Sequence, residues 1–161
     1  MALYIVNSSD GYGAYSATVS ETNGIDAGQF VKCVSSTEAT ATSTVVDKIL
    51  VALCDDAADE DLVCGVALED ASDGEVIAIA TRGIFRFQTE VTNNGAITAG
   101  CVLQVGDQAV SGAGAVTDGI EVEKYDAADG ARPIGQALTT SDTDNEFVVC
   151  RFNLGNGHGA V

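Results

Sequence analysis

Two stretches of the sequence occur twice at nearly the same spacing. Residues 25–33, IDAGQFVKC, resemble residues 97–105, ITAGCVLQV, and residues 65–75, GVALEDASDGE, resemble residues 135–146, GQALTTSDTDNE. The first pair is offset by 72 positions and the second by 70. Because the two matches share almost one offset, the sequence predicts an internal duplication of a unit of about 50–55 residues. A chain of 161 residues accommodates two such units in one body.

Each unit has the pattern of a strand, a turn and a returning strand. Ala-Gly turns at 27–28 and 99–100 precede predicted strands at 29–34 and 101–105. Short strands begin at Gly65 and Gly135, and longer strands return at 75–80 and 146–152 after a polar, acid-containing turn. Val, Ile and Thr far outnumber Leu and Met, which favours strands over helices. The predicted fold class is therefore all-β, a compact β-barrel or β-sandwich built from two related strand–turn–strand units.

The segment between the two halves of the first unit is ambiguous. A helical stripe fits Val46, Ile49, Leu50 and Leu53, and a buried strand fits residues 48–54. The repeat requires a strand that leads to Gly65, so we predict a strand here.

Both ends of the chain lie outside the repeat. Residues 1–24 fit either an edge strand with a loop or an extended N-terminal arm whose Tyr4, Ile5, Tyr12 and Tyr15 dock on a neighbouring molecule. The predicted organisation is an arm at 1–24, a β-rich domain at 25–154 with repeats at about 25–80 and 97–152, and a flexible Gly-rich tail at 155–161.

The charge excludes several classes of partner. The chain has 24 acidic and 7 basic residues, a formal net charge of −17. So few cations cannot offset the phosphates of a nucleic acid or bind an anionic membrane surface. The beginning of the sequence does not resemble a secretory signal, and no apolar run reaches the length of a membrane span. We therefore expect synthesis in a reducing cytoplasm, with the five cysteines as buried, reduced thiols.

The reactive residues form no recognisable catalytic pattern. The only histidine, His158, lies in the Gly-rich tail, where nothing holds a general base in place. An acidic cluster at Asp55, Asp56, Asp59, Glu60 and Asp61 lacks the spacing of a calcium loop and is expected to be a solvated turn. Arg82 and Arg86 share one strand face and are expected to pair with carboxylates in the chain or across an interface. We predict no enzymatic activity, no cofactor and no metal.

One run of residues resembles a known family. The segment 64–75, CGVALEDASDGE, followed by ATRG at 80–83, resembles the capsid cement, or head decoration, proteins of tailed bacteriophages. The segments ITAG at 97–100 and PIGQAL at 133–138 are similar to further landmarks of that family, so the resemblance covers 25–154. The chain departs from shorter members by its arm at 1–24 and by an insertion at about 121–131.

The resemblance implies a non-enzymatic, mostly β and often trimeric protein on the outer face of an icosahedral capsid, which it reinforces against the pressure of packaged DNA. The implied partners are the major capsid protein and further copies of the chain, in a homotrimer. The implied location is the virion, after synthesis in the host cytoplasm. The candidate capsid or trimer contacts are Tyr4, Ile5, Tyr12, Tyr15, Arg82 and Arg86. The alternatives are an acidic extracellular or surface-layer β-module that binds Ca²⁺, and a small acidic hydrolase.

Overall fold

Ten β-strands and no helix make up the described part of the chain. The computed structural model describes residues 13–34, 49–54, 62–106, 121–128 and 132–154. The strands in these ranges are β1 (Ala14–Val19), β2 (Phe30–Val34), β3 (Leu50–Leu53), β4 (Val63–Ala67), β5 (Val76–Ala80), β6 (Arg82–Thr89), β7 (Val102–Val105), β8 (Glu121–Lys124), β9 (Gly135–Ala137) and β10 (Phe147–Asn153). A helix with the length and hydrophobicity of a membrane span does not occur among these residues.

The strands close into two barrels of five strands each. The order around the first barrel is β1-β3-β2-β4-β5, and the order around the second is β6-β8-β7-β9-β10. In both barrels the first strand pairs in parallel with the third, and every other pairing is antiparallel. Each strand of the first barrel therefore has a counterpart in the second. The all-β fold class is confirmed, in the form of two barrels.

The connections repeat as closely as the strands. Gly28 and Gly100 both have a φ of +95°, and the amide of each donates to a strand carbonyl at 2.8 Å. Isolated antiparallel bridges precede both turns, at Ile25 and at Ile97. Glycine is favoured at these turns because a positive φ is strained for residues with a Cβ.

Two segments differ from the sequence-based expectation. Residues 14–19, which were expected in the N-terminal arm, form β1, a strand paired on both sides within the first barrel. Residues 121–124, which were expected in an insertion, form β8, the counterpart of β3. The expectations for residues 1–12, for the acidic cluster between Asp55 and Asp61 and for the tail at 155–161 fall outside the described residues.

The ambiguous segment resolves as a strand. β3 occupies 50–53 and lies between β1 and β2, with Val51 and Ala52 buried. Its helical interpretation is wrong for these residues, because both of its edges bond to neighbouring strands.

One hydrophobic core lies within the first barrel, and a second, larger core contains residues of both barrels. Val31 on β2 faces the interior of the first barrel, and its neighbour Phe30 packs with the core of the second. The Phe30 ring lies 4.7 Å from the Phe87 ring and 6.0 Å from the Phe152 ring, between centroids. Because successive residues of a strand face opposite sides, β2 contributes side chains to both cores.

Candidate docking surface

All four arginines of the chain belong to the second barrel and its margins. Arg82 and Arg86 lie on β6, Arg151 lies on β10, and Arg132 precedes β9. The Nη2 group of Arg132 donates to the carbonyl of Leu154 at 3.2 Å. In a chain with a net charge of −17, this placement is uneven and marks one side of the molecule.

The alternation of β6 and β10 puts three of these arginines on one outer face. Phe85 and Phe87 of β6 point into the barrel, so Arg86 points out. On β10, Val148, Cys150 and Phe152 are buried and the residues between them face outward. The antiparallel register then sets Arg86 beside Val149, Arg151 beside Ile84, and Arg82 beside Asn153. We call the surface formed by Arg82, Ile84, Arg86, Phe147, Val149 and Arg151 the arginine face.

An aromatic ring lies within the arginine face. The guanidinium carbon of Arg86 lies 3.9 Å from the centroid of the Phe147 ring, which is a cation–π contact. Phe147 nevertheless stays 39% exposed. Arginines together with an exposed aromatic ring are typical of residues that dominate the binding energy of protein interfaces.

The equivalent positions of the first barrel carry none of these side chains. The counterparts of Arg86 and Arg151 are Ser16 and Ala80, and the counterpart of Phe147 is Val76, which is 67% exposed. Ser16 is exposed like Arg86, whereas Ala80 is fully buried, so it is the Arg86 position that shows a barrel closing with a small, neutral residue on its outer face. Arg86 therefore does not follow from the requirements of the barrel.

Of the candidate interface residues, the structure brings Arg82 and Arg86 together and places Tyr15 elsewhere. Tyr15 lies on β1, packs against the core of the first barrel, and donates its hydroxyl to the sulfur and carbonyl of Cys64 at 3.2 and 3.3 Å. Burial raises the pKa of Tyr15 well above its usual range, with the bond to Cys64 as a further cause. Tyr4, Ile5 and Tyr12 fall outside the described residues.

Phe147 and Arg151 were not predicted from the sequence as part of this surface. The signal was present as the alternation of residues 147–153, in which every second residue is buried. The proximity of these residues to Arg86 was hidden, because β6 and β10 pair across about sixty positions of sequence.

The five cysteines differ in burial. Cys54 and Cys150 are buried and Cys64 and Cys101 half-buried, but Cys33 is exposed, which corrects the expectation of five buried thiols. Burial raises the pKa values of Cys64 and Cys150 to about 12. Among the described residues, no three histidine, cysteine or acidic side chains converge as a metal site would require.

A buried polar pair lies on the outer side of the second barrel. Gln104 of β7 donates its side-chain amide to Glu123 of β8 at 2.6 Å, and both side chains are fully buried. The carbonyl oxygen of Gln104 accepts the amide of Asp126 at 2.9 Å. These bonds fasten β7 to β8 and to the turn that follows.

The chain is an all-β protein of two tandem five-stranded barrels. No family model matches it, and no curated protein matches its sequence. Among solved structures, it is similar to the N base of head fiber gp8.5 of bacteriophage phi29, at 14% identity and a TM-score of 0.50. The match covers 88% of this chain and 94% of that one. The likeness extends over both barrels and shows a shared fold.

Proposed function

We propose that this chain is a structural protein of a phage virion, which binds the outer surface of the capsid and stabilises the shell. The observation that carries the proposal is the fold shared with the base of a phage head fiber over nearly the full length of both chains. The resemblance of residues 25–154 to capsid cement proteins supports the same role from the sequence.

The chemistry of the described residues is compatible with a binding role. The fully buried side chains of Gln104 and Glu123 bond to each other, and Gln104 also accepts a backbone amide, so this pair serves the fold. The arginine face is the surface whose composition exceeds what the barrel needs. The proposed partners are the major capsid protein and other copies of this chain, in a homotrimer.

Co-sedimentation with capsids tests the proposal. Capsids of the parent virus prepared without this protein are mixed with the purified chain and pelleted through a sucrose cushion. We expect saturable binding with a fixed ratio to the capsid protein, and release of DNA at a higher temperature from decorated shells. Failure to co-sediment at concentrations up to 100-fold above the capsid protein would overturn the proposal.

Two variants locate the contact. Deleting residues 2–12 removes Tyr4, Ile5 and Tyr12 and keeps β1, whereas a deletion that extends to residue 20 would remove a barrel strand. If the N-terminal residues contact the capsid, the 2–12 deletion abolishes pelleting while thermal unfolding is unchanged. The matched control, Val76→Ala, removes an exposed side chain from the first barrel and should bind like the parent chain.

A further inference from the structure

The two barrels carry different charges at equivalent positions whose residues make the same hydrogen bonds in the turns. Asp26 and Thr98 occupy the same place in their turns, since each carbonyl accepts the amide three residues ahead. Asp70 accepts the amide of Ala27 at 2.8 Å. Its counterpart Thr140 accepts the amide of Ala99 at 3.2 Å.

The next position repeats this exchange. Glu69 accepts the amide of Ala78 at 3.1 Å, and its counterpart Thr139 accepts the amide of Val149 at 2.9 Å. A neutral hydroxyl therefore accepts the same backbone hydrogen bonds as a carboxylate in these turns. The fold does not require negative charges at these positions of the first barrel. We call Asp26, Glu69 and Asp70 the acidic rim of the first barrel.

At these positions the charges of the two barrels are opposite in sign. The second barrel carries arginines where the first has Ser16 and Ala80, and the first carries carboxylates where the second has threonines. The acidic rim borders a groove of about 220 Å³ that is lined by Asp26, Asp70 and Glu75 among others. Each copy thus presents one cationic surface with an apolar centre and one anionic groove.

We propose that the arginine face of one copy binds the acidic rim of a second copy. Two chains that each carry a net charge of −17 repel each other overall. A contact that places the arginines of one chain against carboxylates of the other is attractive locally, so the charge distribution favours it. The exposed Phe147 and the half-buried Ile84 and Val149 supply apolar area at its centre. Because the two surfaces differ, the contact is heterologous and generates a ring if its rotation closes. The contact rests on the self-association named in the proposed function, and because it is measured without capsids, its failure is distinguishable from a failure of capsid binding.

Sedimentation velocity tests the contact on the full chain. At 50 mM NaCl and about 100 µM protein we expect oligomers, which dissociate at 500 mM NaCl because the Debye length falls to a few ångströms. The double variant Arg86→Ser/Arg151→Ala introduces the first-barrel residues and should weaken association at least tenfold. Asp26→Thr/Glu69→Thr/Asp70→Thr introduces the second-barrel residues and should weaken it to a similar extent.

Complementation of charge-reversed chains distinguishes direct contact from indirect effects. One chain carries Arg86→Glu/Arg151→Glu, and the other carries Asp26→Lys/Glu69→Thr/Asp70→Thr. Alone, each places like charges in the contact and should stay monomeric; mixed, they should associate. Thermal unfolding of each variant confirms that it is folded. A monomeric parent chain at 50 mM NaCl, or folded variants that associate as the parent does, would overturn the inference.

Discussion

The ring of Phe30, from the first barrel, lies 4.7 Å from the ring of Phe87, from the second, and the planes are inclined by 34°. Both side chains are fully buried. Phe85 and Phe152 complete the group, with centroid separations of 5.8 to 6.1 Å among the second-barrel rings. A side chain of one barrel is thus part of the other barrel's core, and we expect the two barrels to unfold as one cooperative unit.

Replacing Phe30 by alanine should destabilise both barrels. The change removes a buried ring and leaves a cavity, so we expect the free energy of unfolding to fall by about 3–5 kcal/mol. Hydrogen exchange should accelerate in β6 and β10 as much as in β2. Phe147→Ala, at an exposed ring, is the control and should cost no more than about 1 kcal/mol. Faster exchange confined to the first barrel would show that the barrels unfold separately.

Gly65 and Gly135 should tolerate no side chain. A Cβ at Gly65 would lie 2.2 Å from Cγ2 of Ile79 and 2.7 Å from the carbonyl of Ala80. A Cβ at Gly135 would lie 2.3 Å from the carbonyl of Arg151. Because the obstacles include backbone atoms, each alanine substitution should lower the free energy of unfolding by about 2–3 kcal/mol or more in urea titrations.

The control for these glycines comes from the repeat itself. Gly74 has a φ of +82°, and a Cβ there would meet nothing within 4 Å. Its counterpart in the second barrel is Asn145, with a φ of +62°. Gly74→Asn should therefore change stability by no more than about 0.5 kcal/mol. Equal losses for Gly74→Asn and Gly65→Ala would contradict the packing argument.

The sequence predicted the parts of the fold that the repeat preserves. The turns at Gly28 and Gly100 share an isoleucine, an alanine and a glycine, and β4 and β9 share a glycine and an alanine, so comparison of the chain with itself found them. β1 and β6 share no residue at equivalent positions, and β3 and β8 share only the buried valine. These pairs of strands share only the alternation of buried and exposed side chains. Over four to six residues, this alternation is too weak to identify which strand of one unit corresponds to which strand of the other.

The candidate docking surface was predictable only along one strand. Arg82 and Arg86 have the spacing of a shared strand face, and the structure confirms that they share one. The other half of that face comes from β10, whose register with β6 no local pattern specifies.

The buried bond between Gln104 and Glu123 should be worth more than a surface bond. Gln104→Leu removes the donor to Glu123 and the acceptor for the amide of Asp126, so we expect a loss of about 1–3 kcal/mol for each bond. Gln104→Leu/Glu123→Leu removes the buried carboxylate as well and should recover part of that loss. A double-mutant cycle in urea measures the coupling. Additive losses would show that the pair acts independently.

Buried thiols should make the protein less stable at alkaline pH. The pKa values of Cys64 and Cys150 are raised from 9.0 to about 12 by burial. Between these values the unfolded chain releases protons that the folded chain retains, so the contribution of the thiols to the free energy of unfolding should be constant below about pH 8 and fall from pH 9 towards pH 12. Urea titrations at pH 7.5, 9.0 and 10.5 measure the slope, which Cys150→Val should reduce.

The same burial predicts the order in which the thiols react with a disulfide reagent at pH 8. Cys33 is exposed and should react at once, whereas Cys150 should react only at the rate at which the protein opens, because its thiolate is not populated in the folded state. Mass spectrometry of peptides taken at successive times identifies the labelled residue. In 6 M urea the difference should disappear. If Cys150 were labelled as fast as Cys33 under native conditions, the second barrel would have to open rapidly, which would contradict the prediction.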